Sequence, residues 1–176
     1  MIKSLLNLGC GRLMLPNADN VDSSEVKNPP YPYIKQDVIS YLTECYPTTL
    51  YKKIVAYYFL EHLTTAEASF CAYLINQALI MDGIFEFTIP DFYLICQAYL
   101  NGSLSLRSAE FDVLSPDEGS LGTHKSLWNE SKVKELFCQE GFILTQYLSP
   151  IGVRQIGAHV ILQKVAESGT PRSLFS

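Results

Sequence analysis

Positive charge is scarce and scattered in this chain: 13 lysines and arginines stand against 18 aspartates and glutamates in 176 residues, for a net charge of -5 at pH 7. Nucleic acids and anionic membranes are gripped by clustered Lys and Arg, so neither is expected as a partner. The single basic doublet, Lys52-Lys53, reads as the solvated start of a strand. No apolar run approaches the roughly eighteen residues that would suggest a membrane-spanning helix. Met1-Ile2-Lys3 passes into an apolar strand without a charged and then hydrophobic leader, which leads us to expect a soluble, cytoplasmic protein. Paired cysteines are missing as well. Cys10, Cys45, Cys71, Cys96 and Cys138 form no Cys-x-x-Cys and read as core thiols of a reducing compartment. Histidine is sparse, and His62, His124 and His159 share no ligand spacing with one another or with the cysteines, so no metal is expected.

What the chain does have is apolar residues in quantity, 48% against 18% charged, enough for the core of one domain. Apolar runs alternate with helical patterns, the mark of a mainly parallel sheet covered by helices. Strands are predicted at 4–8, 20–22, 34–36, 53–58, 83–89, 142–148 and 158–164. The clearest helix starts at Thr64, where Thr64-x-x-Glu67 makes a capping box, and carries an apolar stripe through Phe70, Cys71, Leu74, Ile75, Ala78 and Leu79 to a stop at Gly83. Further helices are predicted from Asp91 to Asn101-Gly102 and from Asn129 to Glu140, with Gly141 as the stop of the second. Residues 103–126, between these two, are polar and irregular, an insert placed near the substrate side. The domain spans 1–166, and 167–176 read as a flexible tail in which Leu174-Phe175 is a candidate docking segment.

In an open parallel sheet, ligands bind beyond the carboxyl ends of the strands, where the winding reverses. The residues collected there are Asn7, Gly9, Cys10 and Gly11 after the first strand, Asp22 after the second, Asp37 after the third, Tyr57 to His62 after the fourth, and Pro90-Asp91 after the fifth. A Gly-x-Gly turn lets backbone N–H groups approach a ligand, and a carboxylate after the second strand can accept from ribose hydroxyls. Only eight residues, 12–19, separate the turn from the second strand, too few for a crossover that includes a helix. A loop must take its place. Without a helix N-terminus aimed at the turn, a pyrophosphate loses its main stabilisation, and Met14 stands where a Gly-x-Gly-x-x-Gly fingerprint needs its last glycine. A nicotinamide cofactor is therefore disfavoured.

These residues resemble a known family, the class I S-adenosylmethionine-dependent methyltransferases. Leu6-Asn7-Leu8-Gly9-Cys10-Gly11 looks like its first motif, Asn20-Val21-Asp22 like its ribose-binding acid, Gln36-Asp37-Val38 like its adenine-edge acid and Phe59-Leu60-Glu61-His62-Leu63 like its Leu-Glu-His motif. Ile89-Pro90-Asp91-Phe92 looks like a subgroup signature after the fifth strand. The resemblance implies a Rossmann-like, doubly wound α/β fold with a mainly parallel seven-stranded sheet and an antiparallel last strand, and S-adenosyl-L-methionine as cofactor. It further implies that Asn7 meets the cofactor's ammonium group.

Each role has an alternative. Asp22 is either a ribose acceptor or a turn aspartate before Ser23-Ser24, and Asp37 either meets the adenine amino group or caps the following helix. One of Tyr57 and Tyr58 packs on the sulfonium by cation–π attraction, since alternation sends the other to the opposite face. His62 orients Glu61 or the loop. A hydroxyl acceptor would need a base, for which Asp91 and His124 are the candidates, Asp91 with a helix N-cap as its alternative. The functional expectation is in-line methyl transfer to a small molecule or glycan. A non-catalytic partner or regulatory protein of the same fold is the alternative.

Overall fold

Residues 2–8 form the first strand, which becomes buried toward its carboxyl end. The computed structural model describes residues 1–115, 122–151 and 156–169. The strands are β1 (Ile2–Leu8), β2 (Asp19–Asp22), β3 (Tyr33–Lys35), β4 (Leu50–Tyr57), β5 (Leu79–Pro90), β6 (Phe142–Ile151) and β7 (Gly157–Lys164). They form one sheet in the order β3-β2-β1-β4-β5-β7-β6, in which β7 runs antiparallel to both β5 and β6 and the other pairs are parallel. All seven expected strands are present, and the antiparallel final strand agrees with the Rossmann-like expectation.

Alternation decides which face is core. Leu6, Leu8, Ile54, Ala56, Phe85, Phe87, Val160 and Leu162 are all fully buried, and they join one apolar cluster with residues of α1 (Val38–Cys45), α2 (Thr65–Ala78) and α5 (Glu130–Phe137). Phe85, Phe87 and Phe142 pack around Phe137 of α5 at ring distances of 5.5, 5.5 and 5.9 Å. Among the described residues no helix is long and apolar enough to cross a membrane.

Helix α2 starts as expected, with both capping-box bonds formed between Thr64 and Glu67. Its end is different. The helix stops at Ala78, Leu79 already belongs to β5, and Gly83 is a buried residue inside the strand. A buried cation replaces the glycine stop: the Lys164 ammonium donates to the carbonyls of Asn76 and Leu79, each at 2.9 Å, where the helix dipole favours positive charge. Lys164 also pairs with Glu167, and Ser168 N donates to Asn76 Oδ1, so the expected flexible tail is anchored over its first residues. Residues 170–176, with Leu174-Phe175, lie outside the described residues.

The insert contains a helix that its polar pattern did not announce. Helix α4 (Leu106–Leu114) starts at Ser105, whose hydroxyl accepts from Ser108 N, and it packs on α3 (Phe92–Leu100) through Ile95, Leu104 and Ala109. Residues 116–121 lie outside the described residues.

Between β1 and β2 there is no helix, as expected, and two buried amides hold the replacement loop. Asn7 Nδ2 donates to Leu13 O and to Asn20 Oδ1, at 2.8 and 2.9 Å. Asn20 Oδ1 also accepts from Leu15 N, while its Nδ2 donates to the carbonyls of Leu15, Ala18 and Pro32.

The amino-terminal residue of β2 belongs to a polar cluster. Asp19 Oδ2 accepts from Lys3 Nζ and Tyr51 Oη, each at 2.6 Å, and Tyr51 Oη lies 2.7 Å from Tyr41 Oη. Burial pushes the Asp19 carboxyl up, but these bonds and the Lys3 charge outweigh it and hold the group below the usual carboxylate range. A lowered native pKa contributes stability that is present above the unfolded value and lost as pH falls through the native one. Asp19→Asn is therefore expected to flatten the acid limb of the stability curve, and Tyr51→Phe to cost about 1–2 kcal/mol at neutral pH, both read by urea denaturation.

Candidate functional site

Winding reverses between β1 and β4, and a cleft of ≈ 1210 Å³ opens at that point, beyond the carboxyl ends of the parallel strands. This is just above the upper end of the roughly 300–1,000 Å³ of a typical small-molecule pocket. One wall is the turn 9–11 with the loop behind it. The other is Tyr57, Tyr58, Glu61 and His62, with Asp112, Ser115 and His124 from the insert.

Gly9 and Gly11 both have left-handed backbones, φ +57° and +47°, but they meet different surroundings. A Cβ on Gly9 would lie 2.3 Å from the Phe59 ring, whereas one on Gly11 would meet no protein atom within 4 Å. Gly11 therefore presents bare backbone to the cleft. Its N–H donates to Asp22 Oδ2 at 2.8 Å, and Ser24 N donates to Asp22 Oδ1 at 2.7 Å. Asp22 is buried and staples the turn to the loop after β2, with lone pairs left to accept further bonds. Cys10 lies between the glycines with its thiol pushed up to about 12 by burial and the Asp22 charge, so it lines the cleft without being nucleophilic.

Four expected site residues stand back from the cleft surface. Asn7 lies fully buried beneath the turn, where it holds the loop and leaves its Oδ1 without a partner. Asp22 has just been placed. Asp37 is the N-cap of α1 and accepts from Ser40 N, the capping alternative. Asp91 is the N-cap of α3, where Oδ1 accepts from Tyr93 N and Leu94 N while Oδ2 accepts from Tyr147 Oη at 2.7 Å. With both oxygens engaged and only 4% of the residue exposed, Asp91 is poorly placed to take a proton from a substrate.

Tyr57 and Tyr58 both line the cleft, against the expectation that only one can. Strand alternation ends at Tyr57. Tyr58 has a left-handed backbone, φ +55°, in a region aromatic residues rarely occupy, and this turns its ring back to the same side. Tyr57 Oη is fixed by Glu86, which also binds Lys53 and His159.

Glu61 and His62 belong to a 3₁₀ turn, residues Leu60–His62, directly after this break. The Glu61 carbonyl accepts from Lys125 N at 2.8 Å and Ser126 N at 3.2 Å, which fastens the end of the insert to the turn and brings His124 against His62. The two imidazoles meet edge to face at 5.0 Å. Burial lowers the pKa of both, and His62 adds to the lowering at His124, so both rings are neutral near pH 7. Glu61 is 1% exposed, its Oε2 has no partner, and burial raises its carboxyl to about 8. Of the candidate base residues, His124 therefore lines the cleft, and Glu61 and His62 stand with it. A Glu-His pair in sequence was the visible signal for the last two; their meeting with His124 depends on a contact across 62 positions that no local pattern carries.

The sequence matches no protein-family model and no curated protein significantly. Solved structures do match in fold. An S-adenosylmethionine-dependent methyltransferase from Clostridium acetobutylicum ATCC 824 aligns over 94% of this chain and 85% of its own, with a TM-score of 0.61 and 9% identity. The 1,6-didemethyltoxoflavin-N1-methyltransferase of Burkholderia thailandensis, solved with its substrate and S-adenosylhomocysteine, aligns over 93% of this chain and 71% of its own, with a TM-score of 0.63 and 12% identity. Magnesium protoporphyrin IX methyltransferase of Synechocystis PCC 6803, solved with S-adenosylhomocysteine, aligns over 91% and 73%, with a TM-score of 0.59 and 11% identity. The chain thus has the fold of these methyltransferases.

The two glycines separate by substitution. Gly9→Ala forces a Cβ into the Phe59 ring as well as a strained backbone, so it is expected to cost about 2–4 kcal/mol in urea denaturation. Gly11→Ala carries the backbone strain alone and is expected to cost about 1 kcal/mol.

Proposed function

We propose that this chain binds S-adenosylmethionine in the cleft between the ends of β1 and β4 and transfers its methyl group to a small-molecule or glycan acceptor. The observation that carries the reading is the Gly11 backbone, bare of side chain and held by Asp22 at the switch point of a sheet with the methyltransferase strand order. The bound cofactor would supply a methyl carbon already activated by its sulfonium.

The residues present fit such a ligand. Gly11 leaves open space against backbone, Asp22, set back but still 9% exposed, keeps spare lone pairs that ribose hydroxyls could reach, and Tyr57 and Tyr58 line the cleft as aromatic partners for a cation. The turn leads into a loop rather than a helix, and the N-termini of α1 and α3 are occupied by the carboxylates of Asp37 and Asp91. That arrangement suits a ligand without phosphate. Asp37 is left out of the proposed site.

Methyl transfer breaks the sulfur–methyl bond, forms the bond from acceptor to methyl, and leaves the electron pair on sulfur. Much of the protein's work is alignment and the exclusion of water. A hydroxyl acceptor must also lose its proton, and His62 and His124, neutral and facing the cleft, are the groups placed to take or polarise it as long as their free ring nitrogens are unoccupied. Asp112, Ser115 and Phe111 of the insert line the acceptor side. An acidic chain without a basic patch favours small-molecule or glycan acceptors over nucleic acid.

Calorimetry with S-adenosylhomocysteine tests the binding step. Saturable binding is expected, and Asp22→Asn is expected to weaken it about 10–100-fold, the loss of a charge-assisted hydrogen bond. No binding at millimolar ligand would overturn the reading. Binding without transfer of labelled methyl to a panel of hydroxylated small molecules and glycans would favour a non-catalytic role instead.

A further inference from the structure

One carboxylate oxygen of Glu61 and one ring nitrogen each of His62 and His124 lie within 4.8 Å of one another in the wall of the cleft. Several independent features of this cluster point in one direction. The Glu61 carboxyl is buried, yet its Oε2 has no hydrogen-bond partner, an arrangement that costs free energy unless something binds there. Nδ1 of His62 lies 3.4 Å from Thr123 O, and Nδ1 of His124 lies 3.1 Å from Asp112 O. Donation from Nδ1–H to a backbone carbonyl fixes the tautomer that leaves Nε2 with its lone pair, and it is the outer support that ligating histidines commonly have. The backbone holding the ligands is braced too, by Lys125 N and Ser126 N on Glu61 O and by His124 N on Leu114 O at 3.1 Å.

We propose that Glu61, His62 and His124 form a binding site for a divalent transition metal of the zinc class, with its remaining coordination positions open to the cleft. Two imidazoles and one carboxylate suit Zn²⁺, Co²⁺ or Fe²⁺; Mg²⁺ and Ca²⁺ prefer all-oxygen shells. Metal–ligand bonds of about 2.0–2.2 Å require the three donors to close by roughly 1 Å, within reach of side-chain rotation. Three protein ligands with an open position facing a pocket match the pattern of catalytic rather than structural zinc sites. The cysteines contribute nothing, since none belongs to the cluster. Sequence spacing concealed the site because His62 and His124 are brought together only by the return of the insert across the 3₁₀ turn.

The metal site stands without the methyltransferase reading, and its test needs no cofactor. Tag-free full-length chain, stripped with chelator and dialysed, is titrated with Zn²⁺ by calorimetry and with Co²⁺ by visible absorption. One equivalent per chain is expected, with the d–d bands of a nitrogen–oxygen site. His62→Ala and His124→Ala are each expected to weaken binding at least about 100-fold, judged against the 10–100-fold typical of losing only an outer support. His159→Ala, at a residue paired with Glu86, is expected to leave it unchanged. Glu61→Gln, checked for folding by circular dichroism, is expected to weaken binding similarly. Absence of binding at millimolar metal, binding indifferent to both histidine variants, or the intense charge-transfer bands of a cobalt–thiolate would each overturn the proposal. Failure to bind S-adenosylhomocysteine would leave the metal result untouched.

Discussion

The buried contact between Asn7 and Asn20 is the constraint on which the site depends. An open α/β sheet ordinarily joins its first two parallel strands through a helix, whose own backbone bonds satisfy the crossover. Here the connection is too short for one, and its backbone groups must find partners elsewhere. The two amides provide them: Asn7 takes Leu13 O, and Asn20 takes Leu15 from both sides together with Ala18 O and Pro32 O. Asn20 reaches the loop before β3 as well, so one side chain sets the course of both connections on this side of the sheet. Asp22 continues the same work two residues later, on Gly11 N and Ser24 N. The cleft wall is thus built from side-chain hydrogen bonds where a helix dipole would normally lie, and this removes the usual attraction for phosphate.

On the far side of the switch point the constraint is the Glu61 carbonyl. It accepts two backbone bonds from the end of the insert, and through them positions His124. Farther out, Asp91 caps α3 and binds the Tyr147 hydroxyl of β6, so this helix is tied to the last-but-one strand of the sequence at the sheet edge. Two buried carboxylates thus differ in this way: Asp91 spends both oxygens on the scaffold, and Glu61, in the cleft lining, keeps one without a partner.

Much of this was legible in the sequence wherever a local physical rule governed the outcome. All seven strands could be placed from apolar runs, the start of α2 from Thr64 and Glu67, and the loop in place of the first crossover helix from the eight-residue connection. The starts of α1 and α3 were visible as capping alternatives for Asp37 and Asp91. What stayed hidden depended on distant partners. The end of α2 is set by Lys164, nearly ninety positions away, so Gly83 misled as a stop. Helix α4 has only a weak apolar stripe, supported by Ile95 and Ile156 from outside the segment, although Ser105 was a usable start signal. Tyr58 escaped the alternation rule because its backbone is left-handed, which β propensity argues against. His124 could be suspected from the sequence, but not its neighbours.

The left-handed residues on the two sides of the switch point form one packed unit. Tyr58 turns the chain sharply out of β4, and the next residue, Phe59, lies over Gly9 so closely that any Cβ there would overlap its ring. The left-handed backbone at Tyr58 and the glycine required at position 9 therefore meet through one side chain, the Phe59 ring. Packing against Phe59 is thus enough by itself to require glycine at position 9. Gly11 has no such neighbour: its left-handed backbone still favours glycine, but a Cβ there would project into open space beside the cleft. A Gly-x-Gly turn is usually weighed as a single signal. In this fold the two glycines differ in what a Cβ would touch, the Phe59 ring at the first and open space at the second, so packing constrains the first more tightly than the second.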